Sequence, residues 1–217
     1  DIVWQLPTGT RSEALDHDTL SAIYDAGCRL VVYAPESGSP ETLEMIQKKL
    51  KLSNLLESVR AAVEVGHIVK INFILGFPDE TRLSMLKSIA VAIRSAFKGV
   101  NDCNFATFSP YPGSQLFREL EQAGSINIYD DEYFHNLAVQ FDFTNIETFC
   151  KNVSSKEIGF YRVVAMSSFY LISYLFYPKR ILRLIKNMLK DRFRPQSLFE
   201  QRVHDAVGRS SQKLLNS

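Results

Sequence analysis

The feature that most constrains this chain is an alternation of short apolar runs with amphipathic stretches, repeated four times within residues 1–124. The apolar runs are Ile2–Gln5, Cys28–Tyr33, Val69–Leu75 and Cys103–Phe108. Pro7, Pro35, Pro78 and Pro110 stand just beyond them and read as stops. Between the runs lie helical patterns. Asp16 or Asp18 caps the first, which closes at Gly27. Pro40 opens a second. Ser53 is read as the cap of a third, with Leu55, Leu56, Val59, Ala62 and Val63 on its apolar face and Gly66 as its stop. Asp79 is read as the cap of a fourth, running to about Phe97. Ser114 caps a short fifth that ends near Gly124. Strand–helix alternation of this kind specifies an α/β fold with a parallel sheet, helices outside it and right-handed crossovers. Four strands are few for a closed barrel. The expected architecture over residues 1–124 is therefore an open sheet or a partial TIM-type (β/α) barrel; the opening directly on a strand favours the partial barrel, the chain being a piece of something longer.

Composition narrows the function classes. The 25 Lys and Arg balance 24 Asp and Glu, so no global positive field recruits nucleic acid. Cys28, Cys103 and Cys150 lie too far apart in sequence to clip a metal locally, and three thiols make no disulfide framework. A reducing, cytoplasmic setting is the expectation. His17, His67, His135 and His204 show no metal-ligand spacing and read as structural. Asp130-Asp131-Glu132 reads as a solvated charge run. No phosphate-binding loop follows Gly76.

In parallel α/β architectures ligands bind at the carboxyl ends of the strands. Those ends are rich in Gly, Pro and small polar residues here: Pro7–Arg11, Pro35–Ser39, Leu75–Thr81 and Ser109–Ser114. Glycines let a backbone approach a ligand, and a carboxylate such as Glu36 accepts hydrogen bonds from sugar hydroxyls or an amine. Any one such loop is equally well an ordinary turn. Four at one rim carry more weight.

Three of these segments resemble a known family. Glu36-Ser37-Gly38-Ser39 with Leu43 and Lys48, Asn72–Thr81, and Pro110–Leu116 resemble the radical S-adenosylmethionine (SAM) enzymes, in particular their cobalamin-binding branch. Arg11 and Ala26-Gly27-Cys28 also look like that branch. The resemblance implies that the strands are the third to the sixth of a six-unit partial barrel. It implies SAM as cofactor, with Glu36 at the ribose, Ser37 and Gly38 beside it, and Lys48 at the carboxylate. Ile74, Gly76 and Phe77 would pack on adenine with Pro110 and Tyr111, and Arg11 would face the methionyl end or the substrate. Glu80 is expected to cap the helix after Gly76 rather than touch ligand.

The resemblance also implies a 4Fe-4S cluster and cobalamin. The CxxxCxxC loop and the cobalamin domain that would hold them do not occur in this sequence. The implied whole enzyme is a radical SAM oxidoreductase or methyltransferase, and this portion alone is expected to be inactive. It would act on a small-molecule or lipid-like substrate and draw electrons from a donor such as flavodoxin or ferredoxin. The competing expectation is an inactive module that keeps the fold and binds a SAM-like ligand.

Residues 125–153 are irregular and aromatic, an expected lid, and 154–217 form an α-helical extension. Within it Val163–Tyr177 is apolar but reads as short for a bilayer span. Lys179, Arg183, Lys186 and Lys190 form a basic stripe after Pro178. Three readings stand here: a helical cover for the barrel, peripheral membrane contact through residues 163–190, or nucleic-acid binding, which the neutral charge of the whole chain disfavours.

Overall fold

The computed structural model describes residues 2–7, 11, 14–126, 133–134, 148–188, 196–197 and 199–205. Most of the expected lid, with His135, and Lys190 therefore lie outside the described residues. The elements are β1 (Trp4–Leu6), α1 (His17–Asp25), β2 (Cys28–Glu36), α2 (Pro40–Met45), α3 (Leu52–Val65), β3 (Ile68–Leu75), α4 (Arg82–Phe97), β4 (Asp102–Thr107), α5 (Gln115–Gln122), α6 (Ser155–Phe176) and α7 (Lys179–Met188). Residues 199–205 are helical.

The strands form one parallel sheet in the order β1-β2-β3-β4. Every βα unit thus delivers its strand beside the previous one, and all four carboxyl ends meet at one edge. On one face Val31, Tyr33, Val69, Ile71, Phe73, Leu75, Cys103 and Phe105 join a core with Leu20 of α1, Leu55 and Val59 of α3, Met85 and Ile89 of α4, and Phe169 of α6. Phe73 stacks on Phe105, with ring centroids 4.9 Å apart. The other face is more polar. Lys70 pairs in register with Asp102, Asn72 with Asn104 and Ile74 with Ala106.

Several boundaries depart from expectation for identifiable reasons. Pro35 lies inside β2 rather than ending it. It has no N–H to donate, and the β2–β3 register shifts between Tyr33 and Glu36. The cap of α3 is Lys51, not Ser53, and it makes no side-chain cap bond. The cap of α4 is Thr81, whose hydroxyl accepts from Ser84 N–H at 3.2 Å; Asp79 instead pairs with Lys151 at 2.8 Å. Asp16, Ser39, Ser114 and Ser154 cap their helices as side-chain acceptors.

The helical extension closes the β4 edge. The α6 helix runs 22 residues from a capping box at Ser154 and Glu157, as the sequence pattern starting at Ser154 or Ser155 leads one to expect. Among the described residues it is the one helix long and apolar enough to cross a membrane, and 39% of its apolar window is buried in this fold. Arg162, fully buried, donates from Nε to the Phe105 carbonyl at 2.8 Å. The Tyr170 hydroxyl donates to Asp102 at 2.5 Å, and Asp102 also pairs with Lys70 at 3.4 Å. Arg180 donates to the carbonyls of Gly99 and Val100. An unpaired strand edge is thereby met by side-chain donors.

Candidate functional site at the strand carboxyl ends

The four connections at the sheet's carboxyl edge carry the candidate residues, and the structure sorts them into three groups. Glu36 and Lys48 form the first. Glu36 ends β2 with φ +67°, a left-handed conformation that costs a non-glycine residue about 1–2 kcal/mol. Backbone strain of this sort persists where its surroundings fix it. Here the Lys48 ammonium does so, donating to the Ala34 carbonyl and, at 3.0 Å, to Glu36 Oε1. Lys48 itself is aimed by a second left-handed residue, Gln47 at φ +55°, which lets Lys48 N–H return to the Leu43 carbonyl at 2.8 Å. Both side chains of the pair are about a quarter exposed, so the carboxylate remains open to a ligand.

Ser37 and Gly38 form the second group, and they face inward. The Ser37 hydroxyl is bonded to that of Ser88 on α4 at 3.1 Å, and Gly38 N–H donates to the same hydroxyl at 2.8 Å. A Cβ on Gly38 would stand 2.7 Å from the Lys87 carbonyl and from Ser88 Cα. The glycine is therefore required by close packing of the β2–α2 turn on α4. The serines at 84, 88 and 95, all buried on α4, were the sequence signal for that approach, and sequence reasoning missed it.

The third group is the β3–α4 loop. Gly76 has φ +90°, and a Cβ there would meet Ile158 at 2.9 Å. Its N–H donates to Glu80 Oε2 at 2.7 Å, and Phe77 N–H donates to the same oxygen at 3.4 Å. Glu80 thus buckles the loop rather than capping α4. It is 1% exposed, and Oε1 has no hydrogen-bond partner among the described residues. Burial pushes its carboxyl up to about 7 against the two N–H bonds, which pull it down.

Residues 148–152 clasp the same loop from outside. Lys151 N–H reaches the Pro78 carbonyl at 2.9 Å, and the Asn152 amide reaches the Glu80 carbonyl at 3.2 Å. This clasp carried no motif that sequence reasoning could use.

Around the loop sits a second apolar cluster. Phe77 packs on Phe108 with ring centroids 5.0 Å apart, and Phe117, Leu120, Ile126 and Tyr133 complete it. Met45, Ile46 and half-buried Ile74 lie against it, joining the Lys48 turn to the β3 end. Pro110 is buried, and its carbonyl accepts from the Tyr133 hydroxyl at 2.8 Å. Tyr111 is 53% exposed at the same rim. Arg11 is exposed in the β1–α1 connection, and its carbonyl accepts from Ala14 N–H. The rim therefore offers one anchored carboxylate, an apolar shelf at Ile74, and backbone held in left-handed turns. Such a set suits a nucleoside: hydroxyls for the carboxylate and a flat base for the shelf.

Metal-binding groups are arranged differently. Among the described residues no three His, Cys, Asp or Glu side chains gather as ligands. Cys28 and Cys103 are fully buried, and burial holds both thiols above their usual range. His67 is buried with Nε2 2.9 Å from the Leu20 carbonyl, a structural contact.

Known proteins resemble part of this chain. It is 31% identical over 118 residues to an uncharacterized methyltransferase of Pyrococcus horikoshii, a match covering 54% of this chain and 24% of that protein. It is 29% identical over 137 residues to the cytidylyl-2-hydroxyethylphosphonate methyltransferase of Streptomyces wedmorensis, covering 60% and 25%. The chain thus spans about a quarter of the length of these curated relatives. No protein-family profile matches it. Among solved structures it is similar to a radical SAM methyltransferase of Kitasatospora setae bound to cobalamin and a 4Fe-4S cluster, at 19% identity and a TM-score of 0.45, covering 54% of this chain and 23% of that one. It is also similar to coproporphyrinogen III oxidase of Escherichia coli, a radical SAM enzyme, at 14% identity and a TM-score of 0.44, covering 60% and 30%.

Proposed function

We propose that this chain supplies the carboxyl-terminal strands of a radical SAM methyltransferase-like barrel, and that its rim binds the nucleoside part of SAM. The observation that carries the reading is the anchored carboxylate. Glu36 is held in a strained strand end by Lys48, 3.0 Å away, beside the Ile74 shelf and the glycine turn at Gly76. The identity to two methyltransferases, over just over half of this chain, supports it.

In this reading Glu36 accepts hydrogen bonds from the ribose hydroxyls. Ile74 and the backbone around Gly76 take adenine, while Phe77 stiffens the shelf from behind. Pro110 and Tyr111 bound the pocket, and Arg11 stands at its far side on the β1–α1 connection. Lys48 has two contacts on Glu36 and Ala34, which leaves one N–H of the ammonium to reach a carboxylate. Ser37 and Gly38 serve the site through the turn rather than by contact. The chain's share of the reaction is to orient the nucleoside and keep water from it.

In a whole enzyme of this kind a 4Fe-4S cluster would supply an electron and cobalamin would supply a methyl carrier. The described residues do not fit the cluster, since they bring no three ligands together. Both groups, and a flavodoxin- or ferredoxin-type donor, would be served by the remainder of a longer polypeptide.

Glu36→Ala in that full-length protein tests the reading. A large loss of SAM cleavage with the fold intact is expected. A protein that binds SAM but cleaves none, with or without Glu36, would instead be a binding module.

A further inference from the structure

The helical extension has a second surface that stays exposed among the described residues, and its chemistry names what it meets. On α6 the outward stripe is Phe160, Val163, Ser167, Leu171 and Leu175, apolar but for one serine over about 22 Å of helix. Leu171 and Leu175 are each 70% exposed. The α7 helix buries Arg180 against the sheet, so its solvent arc carries Ile181, Leu182 and Ile185, flanked by exposed Lys179 and Lys186. Between α6, α7 and residues 199–205 runs a groove of about 840 Å³, bordered by Leu171, Leu175, Ile181, Leu184 and Phe199. The two apolar arcs therefore meet in one continuous patch. Contiguous exposed apolar side chains of this kind mark an interaction site rather than scattered exposure.

Charge distribution selects the partner. Residues 154–217 hold 12 of the 25 Lys and Arg but only 4 of the 24 Asp and Glu. Two of those acids, Glu157 and Glu200, are already paired with Arg82 and Arg183. The extension is thus strongly cationic on a chain whose other residues are net acidic. Apolar side chains pointing outward between lysines match a helix lying in a headgroup layer: acyl carbons meet the leucines, and lipid phosphates meet the ammonium groups.

We propose that the α6–α7 face seats the protein peripherally on an anionic lipid bilayer. Arg162, Tyr170 and Arg180 keep α6 and α7 fastened to the sheet while it does so. The contact is therefore made by the folded surface, with α6 lying along the membrane and not across it.

The test is co-sedimentation of the full-length protein with phosphatidylglycerol–phosphatidylcholine vesicles and with pure phosphatidylcholine vesicles, at low and high salt. Binding to the anionic vesicles, weakened by salt, is expected. Replacing Lys179 and Lys186 with Gln should weaken it about 30-fold in all. Leu171→Glu with Leu175→Glu should abolish it while leaving thermal unfolding unchanged, since both side chains point to solvent. Equal binding to neutral vesicles, no binding at low salt, or binding indifferent to the leucine changes would each overturn the proposal. So would a dimer that Leu171→Glu breaks without any vesicle binding, because a second copy would then own the face.

Discussion

Glu80 gives the sharpest test of the β3–α4 loop. Its carboxyl is nearly inaccessible, bonded to two backbone N–H groups through one oxygen and unsatisfied at the other. Burial raises its folded pKa from 4.5 to about 7. In the window between those values the native state binds more protons than the unfolded state. Stability must therefore fall as pH rises from about 4.5 to about 7, and level off above. The full penalty is about 3 kcal/mol, at 1.36 kcal/mol for each pH unit of separation.

Glu80→Gln removes that titration while keeping an oxygen for Gly76 N–H. The quantity to read is the stability difference between variant and wild type, from urea unfolding of this chain at several pH values. It should move by about 3 kcal/mol in favour of Gln between pH 4.5 and 8, whatever its absolute sign at either end. A difference that stays flat over that range, or moves toward the wild type, would refute the burial argument.

Gly38→Ala should destabilise the chain by about 1–3 kcal/mol, because its Cβ meets α4 backbone 2.7 Å away; thermal unfolding reads this, and an unchanged midpoint would contradict the packing account. Tyr170→Phe removes the donor to Asp102 and should cost about 1.5–3 kcal/mol, read by urea unfolding; an unchanged stability would contradict the bond between α6 and β4. Lys48→Met should weaken SAM binding by the full-length protein, and the loss should add only in part to that of Glu36→Gln, since Lys48 both anchors Glu36 and has an N–H left for the ligand carboxylate. Fully additive losses in a binding titration would contradict the anchoring of Glu36 by Lys48.

Much of this architecture was legible in residue pattern. The four apolar runs became four parallel strands, and the polar positions within β3 and β4, Lys70, Asn72, Asp102 and Asn104, fall together on the face opposite the main core. Caps at Asp16 and Ser114 were readable because a short oxygen-bearing side chain beside a helical pattern has one inexpensive use, whereas Ser39 was hidden behind Pro40, which reads as the helix start by itself. Pro35 misled, because a proline reads as a stop until the neighbouring strand shows that a register shift absorbs it.

The candidate site was legible as a rim but not as a geometry. Nothing local distinguishes Glu36, open to a ligand, from Ser37 beside it, locked onto Ser88 from 51 positions away. Glu80 was misassigned for a related reason. An acid before a helix ordinarily serves the helix, and only the tertiary fold shows its carboxylate turned back onto the preceding loop.

The central claim is that Glu36, positioned by Lys48, takes the ribose of SAM. Calorimetric titration of the full-length protein with S-adenosylhomocysteine, wild type against Glu36→Gln, tests it most directly. The account predicts affinity weaker by about 10- to 150-fold for the variant, the worth of hydrogen bonds to a charged acceptor, with an unchanged unfolding midpoint. Equal affinity for wild type and Glu36→Gln would contradict it.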